Sequence, residues 1–231
     1  MLYLNCDKTP FIANNQYSNE YKFDLDVNDS ITIPIVFDNR IPYENNSFVV
    51  SVVAGVNKHA SDLGSVSSFF GSNVEYNLKI NINIKNIENK FTQFNNNLAY
   101  TNISANNSFS GIIINQDFDD IQKFYIPENK IYAKLGQDVP LAIRFGGYAG
   151  VNNYLIWLNV NYEQCLINNL DKYLLIKNQK SSLLYKKITF KAPTKKGKYE
   201  LWAFLQSNPL NFQNNTKHFL DYSHRITLIV R

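Results

Sequence analysis

The stretch FKAPTKKGKYELWAF, residues 190–204, marks the end of one β-strand and the beginning of another. Pro193 has no backbone N–H to donate to a sheet, so the first strand should end there, and Gly197 supplies the turn. From Tyr199 onward the chain is rich in aromatic residues, which favour strands. The stretch therefore predicts a strand, a lysine-bearing turn and a second strand.

Alternation of apolar and polar residues predicts further strands at 76–85 and 185–191. Because successive strand side chains point to opposite faces, such a segment covers a core on one side only. Helix signals are weak, since Asn, Ile, Val, Tyr, Phe and Thr dominate the chain. The apolar positions of the two segments are Leu78, Ile80, Ile82 and Ile84, and Ile188 and Phe190. Together these patterns predict an all-β protein.

Two parts of the chain look like the same element used twice. Residues 28–37 align without gaps to 136–145, and after a short gap 48–52 align to 154–158. The alignment predicts an internal duplication with an interval of about 108 residues. Each copy carries one proline on its outward face, which predicts edge or bulged strands. These prolines are Pro34 and Pro140.

The second copy resembles the immunoglobulin-like and fibronectin-like β-sandwiches of microbial surface proteins. Tyr199 falls where such domains have their tyrosine corner, and Leu201 takes the place of the second disulfide cysteine. Trp157 matches the buried tryptophan of strand C, and 224–230 reads as the closing strand G. The duplication interval is also close to the length of one such domain.

The resemblance implies two tandem immunoglobulin-like sandwiches after a short N-terminal arm. We expect the arm at 1–20, an acidic domain at 21–128 and a basic domain at 129–231. The boundary is placed where acidic residues and a proline cluster, as linker segments often do. These residues are Asp117, Asp119, Asp120, Pro127 and Glu128.

Composition excludes several classes of protein. Hydrophobic residues make up 45% of the 231 residues, which is enough for a core and excludes disorder throughout. No apolar run approaches the roughly 18 residues that span a bilayer, so no membrane span is expected. Cys6 and Cys165 are too few for a disulfide scaffold. A bridge between them and two buried thiols both remain open, with the thiols favoured.

The N-terminal sequence, MLYLNCDKTPFI, has no basic segment followed by a long apolar run, so it is not a signal peptide as written. A native Met1 would favour an intracellular or virion protein, and a removed signal would favour an extracellular one. Five N-x-S/T sequons occur, but the abundance of Asn predicts nearly as many by chance. They do not argue for glycosylation.

A search for catalytic chemistry finds no constellation. Nucleophile elbow, Walker A, zincin and dinucleotide fingerprints are all missing from the sequence. His218, Asp221 and His224 are spaced by three, but in a strand that spacing points side chains to opposite faces. Asp24 and Asp26 would share a solvated strand face. We therefore expect neither an enzyme nor a bound metal or cofactor.

Charge divides unevenly along the chain. Residues 1–128 hold 8 Lys+Arg and 14 Asp+Glu, whereas 129–231 hold 15 and 5, giving −6 and +10. Three explanations remain open: head-to-tail association of copies, binding of an anionic partner, and solubility alone. Nucleic acid is disfavoured because the cations are lysines, which do not read phosphate in a bidentate way. The predicted interface lysines are Lys172, Lys177, Lys180, Lys186, Lys187, Lys191, Lys195, Lys196 and Lys198.

These features predict a non-enzymatic structural or interaction protein of a virion or of the cell surface, such as a capsid decoration, an appendage subunit or an adhesin. Leu2 and Leu4 would dock the arm on a neighbour's sheet by strand addition. Phe69 and Phe70 form a candidate contact loop. The alternative is a carbohydrate-binding module or an accessory domain of a secreted enzyme, with stacking residues Tyr148, Tyr154, Trp157 and Trp202.

Overall fold

A computed structural model describes a series of separate segments of the chain. They are residues 2–4, 7–8, 11–13, 16–18, 36–37, 47–53, 75–81, 101–103, 109–116, 128–151, 153–161, 163–177, 183–208 and 220–231. The predicted contact loop at Phe69 and Phe70, and Cys6, lie outside these residues.

The described segments contain strands and turns and no helix, as the all-β prediction requires. The strands are β1 (Leu2–Leu4), β2 (Asp7–Lys8), β3 (Phe11–Ala13), β4 (Gln16–Ser18), β5 (Val36–Phe37), β6 (Ser47–Val53), β7 (Glu75–Asn81), β8 (Thr101–Ile103), β9 (Gly111–Gln116), β10 (Lys130–Ala133), β11 (Asp138–Gly146), β12 (Asn153–Val160), β13 (Glu163–Cys165), β14 (Leu174–Lys177), β15 (Leu183–Lys191), β16 (Gly197–Ser207), β17 (Leu220–Tyr222) and β18 (Ile226–Val230).

The strands fall into two compact units. The first lies within 1–54 and 73–90, and the second within 55–72 and 91–231. The first unit has one sheet in the order β2-β1-β6-β7 and another in the order β4-β3-β5. The immunoglobulin-like assignment of 21–128 stays a prediction, because much of that range lies outside the described residues.

The predicted docking arm is already part of the first unit. Leu2 and Leu4 lie in β1, which pairs with β6 through Leu2–Val52 and Leu4–Val50. On its other side β1 pairs with β2. Since both sides of β1 are occupied within the chain, the strand would have to leave two partners before it could join a neighbour's sheet.

The second unit is an immunoglobulin-like sandwich. One sheet has the order β8-β15-β11-β9 and the other the order β10-β18-β16-β12-β13, with β14 beside β12 and β17 beside β16. Thus β11 and β15 pair as strands B and E do, and β12, β16 and β18 pair as C, F and G do. β10 runs parallel to β18, which is the place of an A′ strand.

The core of this unit lies between the two sheets. Alternate residues of β11, β12, β16 and β18 meet there, as their apolar spacing dictates. Phe145 and Tyr154 cross edge to face, with ring centroids 5.8 Å apart. Other fully buried members include Leu141, Ile143, Ile156, Leu158, Leu201, Ala203, Leu205, Ile226 and Leu228.

The lysine-bearing turn at 192–196 has the geometry that the sequence predicted. The Tyr199 hydroxyl donates to the carbonyl oxygen of Lys195 at 2.8 Å, which is the bond of a tyrosine corner. Leu201 is buried in the core two residues later, and β18 forms the predicted closing strand. The details that carried the resemblance are therefore present in this unit.

The strands do not divide at the predicted boundary of 128. β9 pairs with β11 from Leu141–Gln116 to Gly146–Gly111, and β8 pairs with β15. Ile112 and Ile114 of β9 also lie in the core of the second unit. The acidic cluster that suggested the boundary follows β9. It does not separate the units, because ladder hydrogen bonds and apolar contacts decide to which unit a strand belongs.

Pro140 lies where β11 has a neighbour on one side only. It opposes Thr189 of β15, and the ladder with β9 begins one residue later at Leu141. The backbone of Thr189 bonds to Asn168 on its other side, so Pro140 and Thr189 form a non-hydrogen-bonded pair. The proline nitrogen therefore points away from β15. The edge prediction holds locally, although β11 as a whole is an internal strand.

Asparagines close several ladders of the sandwich. In the described chain, the non-glycine residues with positive φ are Asn161, Asn168, Asn169 and Asn208. Three of them stand one position beyond the last pair of a ladder and bond to the residue opposite. In each case the backbone N–H donates to that residue's carbonyl, and Oδ1 accepts its N–H. The pairs are Asn161–Glu200, Asn168–Thr189 and Asn208–Asn153.

Asn suits this role because it tolerates the left-handed conformation and carries a carbonyl on a short side chain. In the Asn161 pair, the backbone N lies 2.8 Å from Glu200 O and Oδ1 lies 2.7 Å from Glu200 N. The side chain thus replaces the backbone carbonyl that has turned away from the ladder.

We expect Asn161→Ala to lower the free energy of unfolding by about 2 kcal/mol, because it loses a hydrogen bond and places alanine at positive φ. Asn161→Gly should lose about 1 kcal/mol, since glycine accepts the conformation and only the bond is gone. Asn161→Asp keeps the oxygen and should be close to wild type. Urea unfolding of the variants checks this order, and equal losses in Ala and Gly would contradict it.

Candidate functional site

The nine predicted interface lysines do not form one surface. Lys187 and Lys191 lie on β15, Lys172 precedes β14, and all three are exposed. Lys186 points to the inner face of its sheet opposite Ile143 and is only 8% exposed, so burial lowers the pKa of its ammonium group. Lys177 ends β14, and Lys180 lies outside the described residues. Only Lys195, Lys196 and Lys198 belong to the cluster described next.

Six exposed cations gather at one corner of the sandwich, which we call the basic corner. It comprises Lys130, Lys134, Lys195, Lys196, Lys198 and Arg231. Lys130 is the first residue of β10 and Lys134 follows that strand. Lys195 and Lys196 lie in the turn before β16, and Arg231 follows β18. Three of the six were not among the predicted interface residues.

Strand register places these residues together. Tyr132, Ile229 and Lys198 form one row across β10, β18 and β16, and Lys130 lies two positions earlier beside Thr227. Lys134, Arg231 and Lys196 follow one position beyond the ladders. At about 3.3 Å per residue and 4.8 Å per strand, the cluster covers roughly 13 Å by 10 Å. The carboxylate in these rows, Glu200, is buried.

Hydrogen bonds hold the turns of the basic corner in place. Gly136 donates its N–H to Pro193 O at 3.1 Å, and Ala192 donates to Gln137 O at 2.8 Å. Arg231 donates its backbone N–H to Ala133 O at 3.1 Å. The cations therefore stand on backbone that is tied between two sheets.

An exposed aromatic ring lies within the basic corner. Tyr132 is 50% exposed, and the Arg231 guanidinium stacks over its ring at 4.8 Å from the centroid. An exposed aromatic beside cations is a common feature of binding surfaces. The sequence signal was the alternating run Lys130 to Lys134 around Ile131 and Ala133. It becomes informative only when β10 is known to lie beside β18.

The aromatics predicted to stack on a glycan are mostly interior. Tyr154, Trp157 and Trp202 are at most 1% exposed, and only Tyr148 is partly exposed. Phe204 lies between the two tryptophans in a parallel stack, with centroids 5.4 Å from Trp157 and 5.7 Å from Trp202. These residues form no exposed flat platform, which removes the basis of the carbohydrate-binding alternative.

The stack belongs to the second face of the β12–β16 sheet, opposite the core. Glu200 and Arg225 form a buried ion pair there, with Arg225 Nε and Glu200 Oε2 at 2.9 Å. The Arg225 guanidinium also lies 5.0 Å from the Trp202 ring centroid. Burying such a pair costs free energy unless the two groups are well aligned. Because each charge is neutralised by the other, neither is available to a ligand.

Asp221 and Tyr148 are joined at the other end of the sandwich. The Tyr148 hydroxyl donates to Asp221 Oδ2, and the Tyr222 N–H donates to Oδ1 at 2.8 Å. Burial raises the pKa of the Asp221 carboxyl, and the two hydrogen bonds oppose that rise. Asp221 is the middle residue of the His218, Asp221 and His224 spacing, which was not expected to bind a metal. Within the described segments, no three His, Cys, Asp or Glu side chains are grouped to hold a metal.

His224 is buried beside Glu128, the residue two positions before β10. Its Nε2 lies 3.1 Å from the carbonyl oxygen of Glu128, whose N–H donates to Asn115 Oδ1 and whose Oε2 accepts from Gln116 N–H. Burial lowers the pKa of His224 to about 4, and the bond to Glu128 opposes this fall. The neutral ring thus helps to tie β9 to the segment that precedes β18.

Cys165 carries a free thiol that donates to Leu158 O at 3.6 Å, and its predicted alternative partner Cys6 lies outside the described residues. Burial raises the pKa of this thiol to about 12. Among the described residues there is no helix with the length and apolarity to cross a membrane.

The charge asymmetry persists when the chain is divided by its structural units. The first unit holds 6 Lys+Arg against 9 Asp+Glu, and the second holds 17 against 10. The net charges are therefore −3 and +7. The contrast is smaller than the −6 and +10 of the predicted boundary, because the acidic cluster after β9 belongs to the second unit.

No protein-family model and no curated protein matches the chain. Solved structures match the chain at low similarity. The CARDB domain of a Pyrococcus furiosus protein, solved with di-metal ions, has a TM-score of 0.32 and 10% identity over 57% of this chain and 100% of its own. WR4, an MSP family member from C. elegans, has a TM-score of 0.30 and 9% identity over 53% and 100%.

The ASH/PapD-like domain of human CEP192 has a TM-score of 0.24 and 10% identity, covering 57% of this chain and 92% of its own. TM-scores this low carry no argument. The immunoglobulin-like assignment rests on the strand order and the tyrosine corner.

We expect stability to fall as the pH drops through the window set by His224. Its folded-state pKa of about 4 is below the ordinary 6.5, so the unfolded chain takes up the proton first. The stabilisation is complete above pH 6.5 and lost progressively toward pH 4, by about 3 kcal/mol. Urea unfolding between pH 7 and pH 4 measures the loss.

His224→Gln is the control, because the amide stays neutral and can still donate to Glu128 O. Its stability should vary less over the same pH range. An unchanged slope in the variant would show that other groups cause the loss.

Proposed function

We propose that this chain is a non-enzymatic structural or interaction protein that associates through surfaces of opposite charge. The observation that carries the proposal is the basic corner, where six exposed cations lie on or beside the ends of three adjacent strands, around one exposed tyrosine. Such a density of one sign of charge attracts an acidic surface and speeds encounter with it.

The fate of the buried ionisable groups supports a non-catalytic role. Glu200 is paired with Arg225, Asp221 accepts from Tyr148, and His224 contacts the Glu128 carbonyl. Each of these groups has a structural contact that explains its position in the interior. These buried ionisable groups therefore hold strands together, and in this proposal recognition is a role of the surface.

We propose head-to-tail association of copies as the mode of assembly. The acidic first unit of one copy would meet the basic corner of the next, which is a heterologous contact that builds rings or filaments. The setting we propose is an extracellular or virion assembly, as a capsid decoration, an appendage subunit or an adhesin. The opposite net charges of the two units support this mode.

Sedimentation velocity over a salt series tests the proposal. Association at low ionic strength should weaken between about 20 mM and 500 mM salt, as screening shortens the reach of the charges. Changing Lys134, Lys195 and Lys196 to Glu should leave a monomer throughout.

The matched control changes Lys172, Lys187 and Lys191 to Glu, which alters the net charge equally at exposed positions away from the basic corner. This variant should still associate. A wild-type monomer at every salt concentration would refute the proposal, and equal loss in both variants would show that net charge alone acts.

A further inference from the structure

Among the described residues, β10 is the last strand of its sheet and has an open edge. It pairs with β18 on one side and stands at the end of the strand order on the other. Asn129 O and Ala133 O accept hydrogen bonds from Thr227 and Arg231 across that pair, at 2.9 and 3.1 Å. Since successive backbone groups alternate in direction, the N–H and C=O of Lys130 and Tyr132 point away from β18.

The open edge is short and bounded. Lys134 marks its end, because its N–H donates to Gln137 Oε1 at 2.8 Å. Before it, Glu128 turns back toward β9 through its bonds with Asn115 and Gln116. In the described part of the chain, β18 is the single strand paired with β10. Up to four backbone groups, two donors and two acceptors, are therefore directed outward between these limits.

Side chains around this edge favour one kind of partner. Lys130 and Tyr132 are exposed on the strand itself, and Arg231, Lys134 and Lys198 stand nearby in the basic corner. An unprotected edge invites pairing with any strand, and lysines on it discourage other basic or neutral strands. An extended segment that carries carboxylates would instead be attracted by these lysines.

We propose that the open edge of β10 binds an extended acidic peptide segment of a protein partner by strand addition. The segment would pair with the outward N–H and C=O of Lys130 and Tyr132, and its carboxylates would lie beside the cations of the basic corner. This deepens the proposed function, on which it rests for the role of the basic corner, by naming the conformation and charge of the partner.

Three synthetic peptides of one length separate pairing from charge. The first alternates Glu and Val, the second is the same Glu/Val sequence N-methylated at every residue, and the third alternates Lys and Val. The unmodified Glu/Val peptide should bind the full-length protein about tenfold or more tighter than the N-methylated one, which has the same charge but no backbone N–H to donate to the ladder. The Lys/Val peptide should not bind. Equal affinity for the two acidic peptides would overturn the proposal.

Amide hydrogen exchange locates the contact. The Lys130 and Tyr132 amides should exchange rapidly in the free protein and slow on addition of the Glu/Val peptide. The Ile131 and Ala133 amides serve as references within the same strand. Binding without slower exchange at Lys130 and Tyr132 would also overturn the proposal.

Tyr132→Pro removes an outward N–H and leaves the groups that face β18 intact, so it should abolish binding of the Glu/Val peptide. Should this variant fail to fold, Lys130→Glu combined with Arg231→Glu tests the charge contribution and should weaken binding about tenfold. Lys172→Glu is the control and should bind like wild type.

The outcomes distinguish this proposal from the proposed function. Salt-sensitive association of the whole chain without peptide binding would refute strand addition alone. Peptide binding by a chain that stays monomeric at low salt would refute head-to-tail association and leave strand addition standing.

Discussion

The pairing of β12 with β16 is the constraint on which the sandwich depends. One face of this pair builds the core with Ile156 and Leu158, and the other buries Trp157 and Trp202. Asparagine closes the ladder at both ends, through the Asn161–Glu200 and Asn208–Asn153 pairs. A strand pair buried on both faces can carry little recognition itself, because its side chains are committed to packing.

The proposed recognition therefore falls to the margins of the fold. In the part of the chain that the structure describes, β10 lies parallel to β18 as the end strand of the sheet and leaves an open edge. The same register brings Tyr132 and Lys130 next to cations from two other strands. The tyrosine corner at Tyr199 fixes the turn that carries Lys195 and Lys196. The strand order thus brings the cations of the basic corner, the edge of β10 and the exposed ring of Tyr132 together.

Much of the second unit could be read from local pattern. Alternation identified β15, Pro193 and Gly197 identified the turn, and the position of Tyr199 identified its corner bond. Lysine content was a poorer guide to the exposed surface, because the Lys186 side chain lies on the inner face of β15 and is buried. The abundance of Asn did not reveal the role of Asn161 and Asn168, because closing a ladder depends on the residue opposite.

The β class, the phase of each amphipathic strand and the sign of the charge follow from residue order alone, because they depend on neighbours a few positions apart. Membership of β9 in the second unit and the assembly of the basic corner depend on contacts between distant segments. Tyr132 and Arg231 are 99 positions apart in the chain, and their contact depends on the β10–β18 register. The local pattern of residues does not predict that register, because it depends on how the strands pack around the common core.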